Sequence, residues 1–157
     1  MFHAKNYIKV TSLEEAYELN QKKSNAIIGG MLWLKMSNRN MQTAIDLSGL
    51  GLDKIEEQED AFSIGCMCTL RQLEIHEALN RYFGGAMKAC TRHIVGTQFR
   101  NGATVGGSIF GRFGFSDILT CLLALDTYVE LYHAGVIALS EFVEMPRDND
   151  ILVRIII

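Results

Sequence analysis

The sequence NGATVGGSIFGRFGFSDILTCLLAL, residues 101–125, decides how the rest of the chain is interpreted. Its first half is polar and contains five closely spaced glycines: Gly102, Gly106, Gly107, Gly111 and Gly114. Glycine lets another group approach the backbone closely. Ser116 and Asp117 then introduce an apolar helix over residues 118–125, whose N-terminal N–H groups face the same place. The stretch predicts either a phosphate-binding loop or a tight turn before a buried helix.

A second glycine-rich turn lies in AIIGGMLWLKM, residues 26–36. A short strand over residues 26–28 meets Gly29 and Gly30, and helical spacing of apolar residues follows. Strand, glycine pair and helix again offer backbone N–H groups to an anion. The motif lacks the GxGxxG pattern and the Lys-Ser/Thr pair of a P-loop, so it is weak alone. Two such turns in one small domain favour a diphosphate held from both sides.

The order of the elements predicts an α+β fold in two parts, with a ligand in the cleft between them. Residues 1–50 are expected to form a small βαβαβ unit with a parallel sheet, in which Ser12 and Glu15 form a capping box at the start of the first helix. Residues 51–157 are expected to form a larger, mainly antiparallel unit. Its predicted strands and helices are strands at 54–57, 62–67, 127–132, 136–139 and 151–157, one helix after Thr69 that contains Leu79, and a helix at 86–94.

The last predicted strand, ILVRIII over residues 151–157, is apolar throughout. We expect it to be an exposed edge strand that another chain covers, because bare apolar edges invite pairing.

Composition narrows the class of protein. The chain has 157 residues, 48% hydrophobic and 21% charged, which suits one globular domain. A net charge of −3 gives no indication of a nucleic-acid surface. Residues 1–10 lack an apolar leader, and no apolar run approaches the roughly 20 residues of a membrane helix. We therefore expect a cytoplasmic protein without membrane contact.

Side chains that carry chemistry are few. The four cysteines are Cys66, Cys68, Cys90 and Cys121. Their spacing does not suit zinc or an iron–sulfur cluster, and the last two stand alone, so reduced and buried thiols are expected. Four basic residues near the glycine-rich block suit an anionic ligand, although at least two of them are expected to be ordinary surface residues: Arg92, His93, Arg100 and Arg112.

Five segments together make the chain recognisable: IIGG (27–30), AIDLSGLGLDKIE (44–56), FSIGCMCTLRQLE (62–74), RHIVGTQFRNGATVGGSI (92–109) and SDILTCLLALDTYVEL (116–131). The chain resembles the FAD-binding (medium) subunit of the molybdenum hydroxylases, the xanthine dehydrogenase and carbon monoxide dehydrogenase family. The resemblance implies a two-subdomain FAD-binding fold of the PCMH/VAO type, divided at about residue 50. It also implies that the family's C-terminal domain is absent, either because the chain is a fragment or because it is a naturally short form.

The resemblance carries over a set of FAD-binding positions. The first pyrophosphate loop corresponds to Ala26, Ile27, Ile28, Gly29, Gly30, Met31 and Leu32. The second corresponds to Ala103, Thr104, Gly106, Gly107, Ser108, Ile109, Phe110 and Gly111. Asp117 corresponds to an Asp that helps to hold the cofactor, although it also suits a helix N-terminus. Ile94 and Val95 correspond to a position against the flavin ring, or else belong to the core.

The chain departs from the family pattern at three places. Met31-Leu32 replaces the usual Thr-Asp after the first glycine pair, which removes side-chain hydrogen bonds but keeps the backbone ones. Ser108 replaces the usual Asn. The segment Arg112-Phe113-Gly114-Phe115 replaces a proline-containing segment and is expected to reshape that wall. No His or Cys follows Gly30 to attach a flavin covalently, so FAD is predicted to be non-covalent.

The implied function is electron transfer by an oxidoreductase subunit. FAD would collect electrons from 2Fe–2S clusters and reduce NAD or another acceptor, while the molybdenum cofactor and the clusters belong to partner subunits. No Ser-His-Asp or Cys-His arrangement is evident, so no catalytic residue is expected in this chain. Three alternatives remain open: a stand-alone flavin oxidoreductase, a degenerate assembly or binding module that has lost FAD, and a protein specific for another dinucleotide.

Overall fold

The computed structural model describes residues 2–157 and contains two β-sheets, with helices packed against them. In chain order the elements are β1 (His3–Lys9), α1 (Leu13–Asn20), β2 (Asn25–Ile28), a 3₁₀ turn (Leu34–Met36), β3 (Asn40–Asp46), β4 (Ile55–Glu57), β5 (Phe62–Gly65), α2 (Leu70–Ile75), α3 (Glu77–Tyr82), α4 (Ala86–Thr91), α5 (Thr97–Gly102), α6 (Val105–Phe110), α7 (Asp117–Leu123), β6 (Tyr128–Leu131), β7 (Gly135–Ala138), α8 (Leu139–Glu144) and β8 (Leu152–Ile156).

The first sheet is parallel, as predicted, with strand order β1-β3-β2. Ser12 caps helix α1, and its hydroxyl oxygen accepts the N–H of Glu15 at 3.1 Å. The predicted capping box is wrong in its second half, because the Glu15 carboxylate accepts from the Thr11 N–H at 2.8 Å and not from Ser12. The predicted helix after Gly30 is only the 3₁₀ turn, since Met31 adopts φ 59° and interrupts it.

The second sheet is antiparallel, with strand order β4-β5-β8-β6-β7. The strand predicted at residues 151–157 exists as β8, but its expected place at an exposed edge is wrong. Ile155 pairs with Ile64 of β5 on one side and with Val129 of β6 on the other. The segment is apolar throughout because it lies in the middle of the sheet and in the core, where Ile155 is fully buried.

Two of the predicted helices between β5 and β6 are shorter than expected. The helix after Thr69 has the predicted capping box with Gln72 but stops at His76, whose extended backbone separates α2 from α3. The helix predicted over residues 86–94 ends at Thr91, and Val95 then adopts a left-handed conformation with φ 51°. Helix α7, predicted over residues 118–125, runs from Asp117 to Leu123 behind the cap Ser116.

One hydrophobic cluster joins both predicted parts of the chain. Ile45 and Leu47 from the first part pack in the same cluster as Ile64, Leu122 and Ile155 from the second. A smaller cluster around Ile28, Met41 and Ala44 supports the other face of the first sheet. None of the helices within residues 2–157 has the length and apolar character needed to cross a bilayer.

Candidate functional site

The two glycine-rich turns predicted from the sequence touch each other. A Cβ added at Gly30 would overlap the carbonyl oxygen of Gly102. A Cβ added at Gly29 would lie 2.5 Å from the hydroxyl oxygen of Thr104. The two turns can approach this closely only because Gly29 and Gly30 have no Cβ. The contact between the turns therefore explains the glycine pair, and no special backbone conformation is needed to account for it.

The first turn leaves its backbone donors free. The N–H groups of Gly30, Met31 and Leu32 have no acceptor among residues 2–157. Gly29 itself is exposed at the turn. Consecutive free N–H groups of this kind form a concave anion-binding surface. The expected backbone donors are therefore present in the first turn.

The backbone N–H groups of the second turn already donate to acceptors within the protein, which the sequence did not predict. The N–H of Val105 donates to Cys68 O, and the N–H of Gly106 donates to Cys66 O, both at 2.8 Å. The N–H of Gly107 donates to the Thr104 hydroxyl oxygen at 3.2 Å. The hydrogen of the Thr104 hydroxyl has no acceptor in the described part of the chain, so this nearly buried group remains available as a donor between the turns.

A cleft of about 410 Å³ opens on one side of the paired turns. Ser108 and Asp117 lie on its wall, where the Ser116 hydroxyl donates to the Ser108 carbonyl oxygen at 3.3 Å and accepts from the N–H of Leu119, also at 3.3 Å. Asp117 occupies the first turn of α7, where its negative charge complements the helix N-terminus. The same residue thus faces the cleft and stabilises the helix, so both sequence interpretations of Asp117 remain.

Ile94 and Val95 also line this cleft. Arg100 fixes the position of this segment, because its Nη1 donates to the Ile94 carbonyl oxygen at 3.2 Å while its Nε donates to Glu74 at 2.7 Å. Arg100 and Glu74 are both buried. The hydrogen bond from Arg100 lowers the pKa of Glu74 despite the opposing effect of burial. Arg92 and His93 are exposed, as expected for at least two of the basic residues.

Four aromatic rings line the mouth of the cleft, and we call them the aromatic lip: Trp33, Phe99, Phe113 and Phe115. Phe113 and Phe115 lie in the segment that was expected to reshape this wall, whereas Trp33 and Phe99 were not predicted to belong to the site. The available signal was aromatic residues directly after both glycine-rich turns, in MLWLKM and GRFGF.

A second cavity of about 540 Å³ lies on the other side of the paired turns and shares Ile27, Gly29, Thr104, Gly107 and Phe113 with the first. Its lining includes three basic side chains: Lys23, Arg39 and Arg147. All but two of the predicted FAD-binding residues line one of the two cavities. The exceptions are Ile28 and Ile109, which lie in the hydrophobic clusters behind the turns.

The thiols fall into two groups. Burial raises the pKa of Cys66 and of Cys68 to about 12, so both are neutral packing groups, as predicted. Cys90 and Cys121, expected to stand alone, are brought together by the packing of α4 against α7. The proximity of the two thiols lowers the pKa of Cys121 and raises that of Cys90, whose thiol donates to the Met87 carbonyl oxygen at 3.3 Å. Within residues 2–157, no three His, Cys, Asp or Glu side chains are arranged as metal ligands.

Comparison with known proteins identifies relatives over the whole described chain. The sequence model of the family described as "FAD binding domain in molybdopterin dehydrogenase" matches residues 2–157. The uncharacterized protein YgfM of Escherichia coli K12 is 27% identical over 155 residues, covering 96% of this chain and 58% of YgfM. The nicotine 6-hydroxylase medium subunit of Paenarthrobacter nicotinovorans is 33% identical over 131 residues, covering 80% of this chain and 46% of that subunit.

Solved structures share the fold. Carbon monoxide dehydrogenase from Hydrogenophaga pseudoflava superposes with a TM-score of 0.85 at 20% identity, covering 97% of this chain and 58% of that chain. Quinoline 2-oxidoreductase from Pseudomonas putida 86 superposes with a TM-score of 0.82 at 18% identity, covering 99% and 57%. The chain thus spans less than three fifths of the length of these structural relatives and of YgfM.

Proposed function

The chain belongs to the family of FAD-binding domains of molybdopterin dehydrogenases, and from this membership we propose that its paired glycine turns hold FAD non-covalently. The contact between Gly30 and the Gly102 carbonyl is the observation that carries the proposal. It brings free backbone N–H groups and the Thr104 hydroxyl to one place, between two cavities. A dinucleotide has the matching form, with a pyrophosphate between two ring systems.

In this proposal the pyrophosphate lies at the junction of the turns. The N–H groups of Gly30, Met31 and Leu32 donate to it from one side, and the Thr104 hydroxyl donates from the other. Because these donors are backbone groups, the replacement of the family's Thr-Asp by Met31-Leu32 leaves them intact. The second turn lets the pyrophosphate come close to its backbone and offers the Thr104 hydroxyl. Its N–H groups from Val105 to Ser108 already donate to acceptors within the protein and are not free for the ligand.

The two ends of the cofactor take the two cavities. The isoalloxazine occupies the cleft of about 410 Å³ beside Ile94 and Val95, where the apolar wall excludes water from one face. The adenosine occupies the cavity of about 540 Å³, whose Lys23 and Arg39 add positive charge near the phosphates. Ser108 and Asp117 line the first cleft and offer polar partners to the ribityl chain.

Bound FAD supplies the redox chemistry, while this chain binds and orients it. We propose that the whole protein is the flavin subunit of a molybdenum-containing oxidoreductase of the xanthine dehydrogenase type. In that assembly electrons reach the FAD from 2Fe–2S clusters in one partner subunit, after oxidation of a substrate at the molybdenum cofactor in another. The acceptor is NAD or another oxidant. The relative named as a medium subunit of a hydroxylase supports this part of the proposal.

The first experiment is an absorption spectrum of the purified protein, with mass spectrometry of any cofactor that heat releases. We expect a flavin spectrum and the mass of FAD. A colourless protein that also takes up no added FAD contradicts the proposal and supports the degenerate-module alternative. A released dinucleotide of different mass supports the third alternative.

A variant of Thr104 tests the proposed pyrophosphate contact. Thr104→Val removes the hydroxyl that donates between the turns, and we expect FAD binding to weaken about 10-fold or more, because hydrogen bonds to charged groups are strong. Thr104→Ser keeps the hydroxyl and serves as the matched control. Titration of the apoprotein with FAD measures both, and equal affinities of the two variants would contradict the contact.

A further inference from the structure

Three of the four side chains of the aromatic lip are exposed to solvent although they are large and apolar. The side chains of Trp33 and Phe115 are 55% and 69% exposed, and Phe113 is also exposed. None of the three belongs to the hydrophobic clusters of the described residues. A ligand that covers exposed aromatic side chains beside a cleft removes a large apolar surface from water, which favours binding.

The four rings form a continuous row that crosses from one glycine turn to the other. Phe113 and Phe115 stack at a centroid distance of 5.2 Å with only 14° between their planes. Trp33 meets Phe115 edge-on at 6.2 Å and Phe99 at 5.7 Å. Rings from the first turn, from α5 and from the segment after α6 therefore make one surface.

The segment that carries Phe113 and Phe115 is fixed by specific contacts. Arg112 adopts the left-handed conformation, with φ 47°, while its Nη1 donates to the Met145 carbonyl oxygen at 2.7 Å and its guanidinium lies 4.0 Å from the Phe142 ring centroid. A Cβ at Gly111 would overlap the ring of Phe113. Strained backbone that is held in place in this way is a feature of ligand sites.

The backbone next to Trp33, at the first glycine turn, also contains a residue in the left-handed conformation. Trp33 follows Met31, which adopts φ 59° directly after Gly30. Both aromatic segments thus leave their glycine turns through a residue in the left-handed region, and both present rings to the same cleft. A turn that served only to reverse the chain would not need bulky side chains at these positions.

We propose that the aromatic lip stacks against the isoalloxazine ring of FAD, an inference that rests on the proposed function. The isoalloxazine is the more apolar of the two ring systems, and it suits a cleft lined by these aromatic rings together with Ile94 and Val95. Only Phe113 of the four also reaches the second cavity, whose basic lining suits the phosphate and adenosine side. The lip therefore selects which end of the dinucleotide enters the first cleft.

The test is titration of the apoprotein with FAD, followed by flavin fluorescence and visible circular dichroism. Electron transfer from a nearby tryptophan quenches flavin emission, so we expect bound FAD to fluoresce more strongly in Trp33→Leu than in the unaltered protein. Phenylalanine does not quench flavin emission, so for Phe115→Leu the expected spectroscopic change is in the visible circular dichroism of the bound flavin. We expect each variant to weaken FAD binding about 2- to 10-fold. Both positions are exposed, so the variants should fold, and thermal melts check this. Tyr82→Leu, at an exposed tyrosine outside both cavities, is the matched control.

The outcomes separate the two proposals. If the unaltered protein takes up no FAD, the proposed function fails and the inference about the lip fails with it. If FAD binds but the two lip variants match Tyr82→Leu in affinity, fluorescence and circular dichroism, the inference about the lip is wrong while the proposed function stands. Weaker binding in both lip variants but not in Tyr82→Leu, together with stronger flavin emission in Trp33→Leu, supports it.

Discussion

Gly30 sets the distance between the two turns of the site. Gly30→Ala places a methyl group on the Gly102 carbonyl oxygen, so the turns must separate. We expect a loss of about 1–3 kcal/mol in the free energy of unfolding and markedly weaker FAD binding. Urea denaturation and FAD titration measure these effects. Gly114→Ala is the control, because a Cβ there meets nothing within 4 Å and the backbone φ is not positive. Unaltered FAD affinity in Gly30→Ala would contradict the site.

The buried pair of Glu74 and Arg100 gives a pH-dependent prediction. Arg100→Met leaves the Glu74 carboxylate with only the partly exposed Arg71, at 2.9 Å, and we expect a loss of about 3 kcal/mol at neutral pH. Arg100 lowers the pKa of Glu74 in the folded state. The stabilisation is therefore complete above the unfolded-state pKa of 4.5 and is lost as the pH falls through the lower folded pKa.

Urea unfolding of the unaltered protein and of Arg100→Met across this pH range measures the effect. The difference between the two proteins should shrink as the solution becomes more acidic. Arg71→Met is the control, since exposed ion pairs contribute little. A difference that stays constant down to acid pH would show that Arg100 acts through packing alone.

Cys121 is predicted to be the most reactive thiol. Because its neighbour Cys90 lowers its pKa, its alkylation by iodoacetamide should set in at a lower pH than that of the buried thiols Cys66 and Cys68. Cys90→Ala removes the neighbouring polar group and should move the midpoint of the reaction to higher pH, whereas Cys90→Ser keeps a polar group there. Mass spectrometry of labelled peptides follows the reaction. A midpoint that is the same in Cys90→Ala and in the unaltered protein would rule out Cys90 as the cause.

The residue types of the site could be identified from the sequence, but the partners that they meet across the chain could not. The glycines of both turns were predicted to let a ligand approach the backbone, whereas the contact of Gly30 with Gly102 of the other turn was not predicted. Arg100 was ambiguous, because its burial depends on Glu74, which lies 26 residues earlier. The proximity of Cys90 and Cys121 depends on the packing of α4 against α7, and no sequence spacing encodes it.

At the scale of elements, the central place of β8 predicts where the second sheet is most sensitive. Ile155→Ala removes a fully buried side chain between β5 and β6, and we expect a loss of about 2–5 kcal/mol. Val136→Thr, on the exposed face of the edge strand β7, should change stability by less than about 0.5 kcal/mol. Urea denaturation compares the two, and equal effects would contradict the central role of β8.

Strands were easier to find in the sequence than to order within a sheet. Apolar alternation and turn residues identify where a strand lies, but the neighbours of a strand are set by long-range pairing. ILVRIII was therefore recognised as a strand and assigned to the wrong place. Helix ends were missed where the sequence has no clear stop signal, as at His76, where one residue with extended backbone ends α2, and after Thr91, where α4 ends.

At the scale of the whole molecule, FAD should stabilise the fold by joining its parts. The proposed ligand contacts a turn of the first sheet and a turn packed on the second, so both should unfold together when FAD is bound. At a free FAD concentration 100 times Kd, binding should add about 2.7 kcal/mol to the free energy of unfolding. Thermal melts with FAD and with riboflavin, which lacks the pyrophosphate, test this. If riboflavin raised the melting temperature as much as FAD does, the pyrophosphate would not contribute to binding as proposed.

The position of β8 also has a consequence for synthesis. The strands of the first sheet all lie within residues 3–46, so this sheet can assemble early as the nascent chain leaves the ribosome. The second sheet cannot close until residues 152–156 have emerged and inserted between β5 and β6. Until then both inner edges remain open on the ribosome, and protection by a chaperone would matter most at this stage of translation.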